Sequence, residues 1–255
     1  MPALTSKQIE QLARKLDASD NVVFFGGAGV STESGIPDYR SETGLYKTKA
    51  EYGFSPEQIL SHTVLVNNPA LFFKYYKENL IALHAKPNKA HQALATLEAL
   101  GKLRAVITQN VDGLHQAAGS QVVYELHGSN WRQYCVECGR TYSLDYILDA
   151  ANCDGDVPHC QGCGGIVRPQ VVLYEEPLDQ NLLAVSIAAI EAAEVLIIGG
   201  TSLAVYPAAG LIDYFKGPYL ALINKSETPY DKRAQLVIND AIGEVLDAVL
   251  RSMHF

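Results

Sequence analysis

No apolar run in this 255-residue chain approaches the roughly 18 residues that a membrane-crossing helix needs. The first 16 residues carry polar and charged groups of both signs with no apolar centre. The pattern of a secretory leader is therefore missing, and a cytoplasmic location is expected. Net positive charge is missing too, since 20 Lys and Arg face 28 Asp and Glu, for a net charge of −8. That argues against nonspecific binding to a nucleic-acid backbone and suits a basic peptide partner. Neither a nucleic-acid nor a membrane partner is expected. The five cysteines, Cys135, Cys138, Cys153, Cys160 and Cys163, do not pair off evenly, and four of them stand in two Cys-x-x-Cys pairs. Such a count disfavours a secreted disulfide framework and favours a reducing compartment with a metal site. Repeats, low-complexity tracts and long linkers are absent as well. What is present is 48% apolar residues, enough for one large α/β domain with a small insertion.

Ile9, Leu12 and Leu16 share one face of a helix predicted over 6–18. A buried strand over 21–25 ends in Gly26-Gly27-Ala28-Gly29. Asn68 as N-cap and Pro69 at the first position open a helix predicted over 68–84. A second helix over 89–100 is closed by Gly101. Strands are expected over 103–108 and 122–126. The stretch 129–168 changes character: it holds all five cysteines and few apolar runs, and reads as an inserted module. Beyond it, strands are expected over 171–174, 195–200 and 219–224, and helices over 182–193, 207–215 and 240–251. Strands alternating with helices predict a doubly wound, mostly parallel sheet covered on both faces. Ligands of such folds sit beyond the carboxyl ends of the strands. Three polar, glycine-bearing segments, 27–40, 108–115 and 199–202, follow strands and should meet there.

The turn Gly27-Ala28-Gly29 resembles the start of a dinucleotide-binding loop, in which glycine lets the backbone approach a pyrophosphate. The third glycine of G-x-G-x-x-G is replaced by Thr32, so a tight turn without a ligand remains an alternative. The residues that follow settle on one family. Gly27-Ala28-Gly29-Val30-Ser31-Thr32-Glu33-Ser34-Gly35-Ile36-Pro37-Asp38-Tyr39-Arg40 resembles the sirtuin signature GAGxSxxSGIPDFR, with Tyr39 for Phe. Thr108-Gln109-Asn110-Val111-Asp112-Gly113-Leu114-His115 resembles TQNxDxLH, and His127-Gly128 resembles the catalytic HG. Arg168-Pro169-Gln170-Val171-Val172 resembles RPxVV. Thr201-Ser202-Leu203 with Pro207-Ala208 resembles TSLxVxPA, and Asn224 matches the asparagine of the IN motif. These matches follow the family's order and span nearly the whole chain.

The resemblance implies a single catalytic domain over 1–255, Rossmann-like apart from a zinc-binding module at 129–168. It implies an NAD-dependent protein-lysine deacetylase that passes the acyl group of an acyl-lysine protein or peptide to ADP-ribose. Nicotinamide, O-acetyl-ADP-ribose and free lysine result. Such chemistry needs a base with a pKa near neutrality, which suits histidine, and the resemblance gives that role to His127. A lone histidine at a strand end is otherwise a structural one, as His115 is expected to be, and nothing marks His62, His84, His91 or His254. Asn110 and Asp112 are implied to act in catalysis, with Asp112 and the Val111 backbone at the nicotinamide and Gln109 at the ribose. Asn-x-Asp-Gly after a strand also reads as a turn, and the two readings are compatible. Ala28, Thr32, Arg40, Thr201, Ser202, Asn224 and Ile242 are implied cofactor contacts, and Tyr39 a shield over the reactive ribose. The peptide is implied to add as a strand between 172–176 and 203–206, with the Val172 carbonyl on the acyl-lysine amide and Tyr174 walling the lysine tunnel.

The pairs Cys135-x-x-Cys138 and Cys160-x-x-Cys163 stand at nearly zinc-ribbon spacing. Four thiolates close a tetrahedral shell, which implies structural zinc; two disulfides or redox pairs are the alternative, Cys153 is left over, and His159 is a substitute ligand that four thiolates make unnecessary. Two departures bear on substrate choice. The family's Phe/Tyr-Gly-Glu is Tyr174-Glu175-Glu176, and a charge on Glu175 would favour Lys or Arg beside the acyl-lysine. The stretch 41–54 lacks the Tyr-x-x-Arg of desuccinylating sirtuins, which points to acetyl or other neutral acyl groups. The rival functions are protein mono-ADP-ribosyltransfer and a non-catalytic NAD-binding scaffold.

Overall fold

A computed structural model of the chain describes residues 6–38 and 52–253. Helix α1 (Ser6–Asp17) forms where Ile9, Leu12, Ala13 and Leu16 recur at helical spacing, and all four are buried. It leads into β1 (Val22–Gly26). Helices α2 (Pro56–Ile59), α3 (His62–Asn67), α4 (Pro69–Asn79) and α5 (Lys89–Ala99) come next. Then follow β2 (Leu103–Thr108), α6 (Leu114–Ala117), β3 (Val123–Glu125), β4 (Gly128–Cys135), β5 (Thr141–Ser143) and α7 (Leu144–Leu148). The chain continues through β6 (Cys153–Asp154), β7 (Val157–Pro158), β8 (Val167–Val171), α8 (Gln180–Ala192) and β9 (Val195–Gly199). It closes with β10 (Tyr219–Ile223), β11 (Leu236–Ile238) and α9 (Ile242–Ser252).

Six strands form one sheet in the order β11-β10-β9-β1-β2-β3, with every pairing parallel. Its residues alternate between two cores, as the two-residue strand period requires. Val22 and Phe24 of β1 pack with α1, α5 and α9, whereas Val23 and Phe25 face Ile190 of α8 and the 3₁₀ turn Ala208–Tyr214. Both faces are therefore covered, which is why these strands read as unbroken apolar runs. The winding direction reverses between β1 and β9, and the crevice of a doubly wound sheet opens at such a switch.

A second sheet, β5-β4-β8, is antiparallel. Its core is a third cluster in which Leu144, Ile147, Cys135, Cys160 and Val167 pack on Ile59, Leu65, Phe72, Phe73, Tyr75 and Tyr76. The cysteine-bearing stretch thus shares its core with α2–α4, which lie roughly 60 to 110 residues earlier in the chain.

Several predicted elements move. The helix that Asn68 caps ends at Asn79, not 84. Asn79 turns its amide back to the Tyr75 carbonyl at 3.0 Å, and the Leu80 carbonyl is taken by Asn130 Nδ2 at 2.7 Å. The strand expected over 171–174 lies earlier, at Val167–Val171, and belongs to the antiparallel sheet. Tyr174 instead bridges Ser61 in parallel. The turn after Pro207 is 3₁₀, not α, and β11 has no counterpart in the sequence reading.

The two turns above the switch point touch. Gly29 N–H donates to the Gly200 carbonyl at 2.7 Å. A β-carbon on Gly200 would sit 2.4 Å from Val30 N, and its φ of +58 is left-handed. Gly200→Ala should therefore destabilise the fold by about 1–3 kcal/mol, read from urea unfolding midpoints.

Candidate active site

The carboxyl ends of β1, β2 and β9 lie side by side, Gly26 opposite both Thr108 and Gly199. The three segments expected to converge do so. Gln109 N–H donates to the Gly26 carbonyl at 3.0 Å, and Gln109 Nε2 reaches Thr201 Oγ1 at 3.3 Å. Asn110 Nδ2 donates to Ser31 Oγ at 3.0 Å, and Ser31 Oγ donates to Asp112 Oδ2 at 2.6 Å. Asp112 Oδ1 meanwhile accepts from Leu114 N–H at 2.9 Å, so one carboxylate both closes the turn and joins the crevice network. Thr32 donates to the Gly29 carbonyl at 2.9 Å. Asn224 stands at the end of β10 with its amide on the Ser226 carbonyl at 2.8 Å. Ala28 is half-buried and Ser202 exposed. Ile242 is buried, and its Cδ1 would meet a β-carbon on Gly199 at 2.1 Å, so it packs beneath the sheet end. Tyr39 and Arg40 lie outside the described residues.

His127 follows β3, and Gly128 after it starts β4. Gly128 has φ +80, and a β-carbon on it would fall 2.0 Å from the Gln170 carbonyl oxygen, which explains why glycine follows this histidine. His127 Nδ1 lies 2.9 Å from the Gln109 carbonyl. A carbonyl only accepts, so Nδ1 carries the proton and Nε2 keeps its lone pair. Burial holds the pKa of His127 below the ordinary imidazole value, against the Gln109 hydrogen bond, which works the other way. The ring is thus neutral and basic at Nε2 at neutral pH.

Three residues that the sequence reading passed over hold the glycine-rich segment in place. Ser31 is buried between Asn110 and Asp112, and its place in the quoted signature was the available signal. Asn88 caps α5 and sends Nδ2 to the Val30 carbonyl at 2.8 Å and Ser34 Oγ at 3.0 Å. Glu33 accepts from Gly243 N–H at 2.9 Å at the start of α9. Neither of these two carries a local signal, because each partner is distant in sequence.

Beneath Asp112, His91 and His115 meet edge to face with ring centroids 4.7 Å apart, both buried. Burial lowers the pKa of His91 to about 4, against the nearby Asp112 charge. Burial and then His91 lower that of His115 to about 3. In the unfolded chain both would take protons near pH 6.5, so stability is complete above that value and is lost as pH falls toward 4. The unfolding free energy from urea titrations should drop between pH 6.5 and 5 by at most about 1.4 kcal/mol per pH unit for each histidine. A flat profile over that window would refute the assignment.

The sulfurs of Cys135, Cys138, Cys160 and Cys163 lie within 4.8 Å of one another. The separations Cys135–Cys163, 3.5 Å, and Cys138–Cys160, 3.7 Å, are far beyond a disulfide of about 2.05 Å. They match the S–S spacing of about 3.8 Å that tetrahedral Zn–S bonds of about 2.3 Å require. All five cysteines are free, which removes the two-disulfide alternative. Four thiolates position a structural zinc. His159 turns Nδ1 to the Gly164 carbonyl at 2.9 Å, and Cys153 stands apart beside Lys77 Nζ at 3.5 Å. The Tyr142 hydroxyl lies 3.0 Å from Cys160 Sγ and can donate to that thiolate. Metal analysis should find one zinc per chain, and Cys138→Ser should lose it together with several degrees of Tm.

A doubly wound nucleotide-binding fold with a four-thiolate site in a separate small sheet defines a narrow class of protein. The Sir2 family profile matches residues 27–207. The chain belongs to the Sir2 family. It is 56% identical to an NAD-dependent protein deacetylase of Clostridium acetobutylicum, over 95% of this chain and 98% of the relative. It is 44% identical to one of Staphylococcus aureus, over 95% and 98%. Among solved structures, a Sir2 complex with p53 peptide and NAD+ matches with a TM-score of 0.86 at 37% identity, covering 95% of this chain and 97% of that one. A Sir2 protein with deacetylated p53 peptide and 3′-O-acetyl ADP ribose matches with a TM-score of 0.89 at 36% identity, covering 96% and 99%. No helix among the described residues is long and apolar enough to cross a membrane.

Proposed function

We propose that this chain is a cytoplasmic NAD-dependent protein deacetylase that removes acetyl, or another neutral acyl group, from lysines of proteins and peptides. The observation that carries the reading is the His127 ring, locked through Nδ1 to Gln109 so that Nε2 is the free base beside the β1–β9 crevice. NAD, when bound, supplies the ribose carbon from which nicotinamide leaves and to which the acyl oxygen passes. The amides and hydroxyls of Gln109, Asn110, Ser31 and Thr201 suit a ribose as a donor and acceptor set. Ala28, Thr32, Ser202 and Asn224 would hold the phosphates and the second ribose, with Ile242 supporting Gly199 from below. Arg40 would pair with phosphate and Tyr39 would shield the ribose. Asp112 and the Val111 backbone would hold the nicotinamide carboxamide.

His127 Nε2 takes the proton of a ribose hydroxyl, and the buried ring returns it in the hydrolytic half of the reaction. Val172 and Tyr174 would bind the acyl-lysine in the cleft between the parallel sheet and the cysteine-bearing unit, proposed at 129–168 with α2–α4 packed on it. Mass spectrometry of a reaction with an acetyl-lysine peptide and NAD should find nicotinamide, O-acetyl-ADP-ribose and free lysine. His127→Ala should lower kcat/KM by about 10²–10⁴ while leaving the fold intact. ADP-ribosylated protein in place of these products would favour the transferase reading.

A further inference from the structure

Among the described residues, the non-glycine residues with positive φ are Glu175, at 76, and Leu203, at 54. Both fall in the two segments proposed to flank the peptide, 172–176 and 203–206. A β-carbon is disfavoured in this conformation, and the sirtuin pattern has glycine where this chain has Glu175. A glutamate held there needs an interaction that over-determines it.

That interaction is local and specific. Glu175 Oε2 accepts from Thr63 N–H at 2.9 Å and from Thr63 Oγ1 at 2.7 Å. The two Thr63 donors keep the Glu175 carboxyl below its usual pKa. Thr63 lies at the start of α3, and the residues just before it already pair with the same loop. Tyr174 N–H donates to the Leu60 carbonyl, and His62 N–H to the Tyr174 carbonyl, each at 3.0 Å. The next residue clamps the other side. Glu176 binds Arg168, Leu173 N–H at 2.9 Å and His62 Nδ1 at 2.9 Å. Burial would raise the pKa of Glu176, but these partners, Arg168 foremost, hold it near 2.

We propose that Glu175 is a positioning residue for the acyl-lysine substrate: through Thr63 it fastens the 172–175 segment to α3 and so presents a preformed strand edge to the peptide. This rests on the deacetylase reading and on the placement of the peptide at Val172 and Tyr174. It also reassigns the Glu175 carboxylate, whose hydrogen bonds go to α3, away from a role in selecting basic residues beside the acyl-lysine.

Steady-state deacetylation of an acetyl-lysine peptide tests it. Glu175→Ala and Thr63→Val should each raise the peptide KM by about two- to tenfold, with kcat and the KM for NAD unchanged. The double variant should be no worse than Glu175→Ala, which already removes both bonds, whereas Thr63→Val alone keeps the backbone N–H bond. Glu175→Gln keeps an acceptor for Thr63 without the charge and should restore the wild-type KM. Additive effects, an unchanged KM in Glu175→Ala, or failure of Glu175→Gln to rescue would each overturn the proposal. Hydrogen exchange of the 172–176 amides reads the anchor without turnover. It should quicken in Glu175→Ala and not in Glu175→Gln. A wild type that deacetylates nothing would refute the function, and the exchange experiment would still decide the anchor.

Discussion

The hydrogen bond from Gly29 N–H to the Gly200 carbonyl is the contact on which the crevice depends. It joins the turn after β1 to the turn after β9 at the switch in winding direction. Neither glycine tolerates a β-carbon there, since each would meet backbone of the other loop within 3 Å. From this junction the remaining fixings radiate. Asn88 ties the segment to α5, Glu33 ties it to α9, and Ser31 ties it to Asn110 and Asp112. The glycine-rich segment is thus held by four separate parts of the chain, and the polar groups beyond the strands inherit fixed positions.

The parallel sheet was legible because its strands are buried on both faces and therefore read as apolar runs bounded by glycine. The four-thiolate site was legible because two knuckles with two-residue spacing carry a metal geometry in the sequence itself. What the sequence hid was non-local. The end of α4 is set by Asn130, some fifty residues on, which takes the Leu80 carbonyl. The strand at Val167–Val171 puts Val167, Pro169 and Val171 on one face and Arg168 and Gln170 on the other, and Arg168 is buried against Glu176, so no unbroken apolar run marks it. Strand β11 is three residues long and follows a turn-rich stretch, so no periodicity can show. Asn88 and Glu33 look like an ordinary cap and an ordinary surface acid until their partners are placed beside them.

Charge is distributed so that the acids do different work. Glu33 and Glu175 each accept from backbone N–H groups at the start of a helix, where partial positive charge favours a carboxylate. Glu176 instead meets the buried guanidinium of Arg168, which also donates to the Val171 carbonyl at 2.8 Å.

The antiparallel ladder has a mechanical consequence. β4 starts at the residue after His127, β8 ends at the residue before Val172, and Val172 N–H donates to the His127 carbonyl at 2.9 Å. The histidine and the start of the 172–176 segment are neighbouring rungs of one ladder whose far end is stapled by cysteines. Because the same histidine is bound through Nδ1 to the Gln109 carbonyl, and Gln109 N–H to Gly26, the ladder and the parallel sheet are pinned together at His127, and the distance from the 172–176 segment to the β1–β9 crevice is set at that one residue.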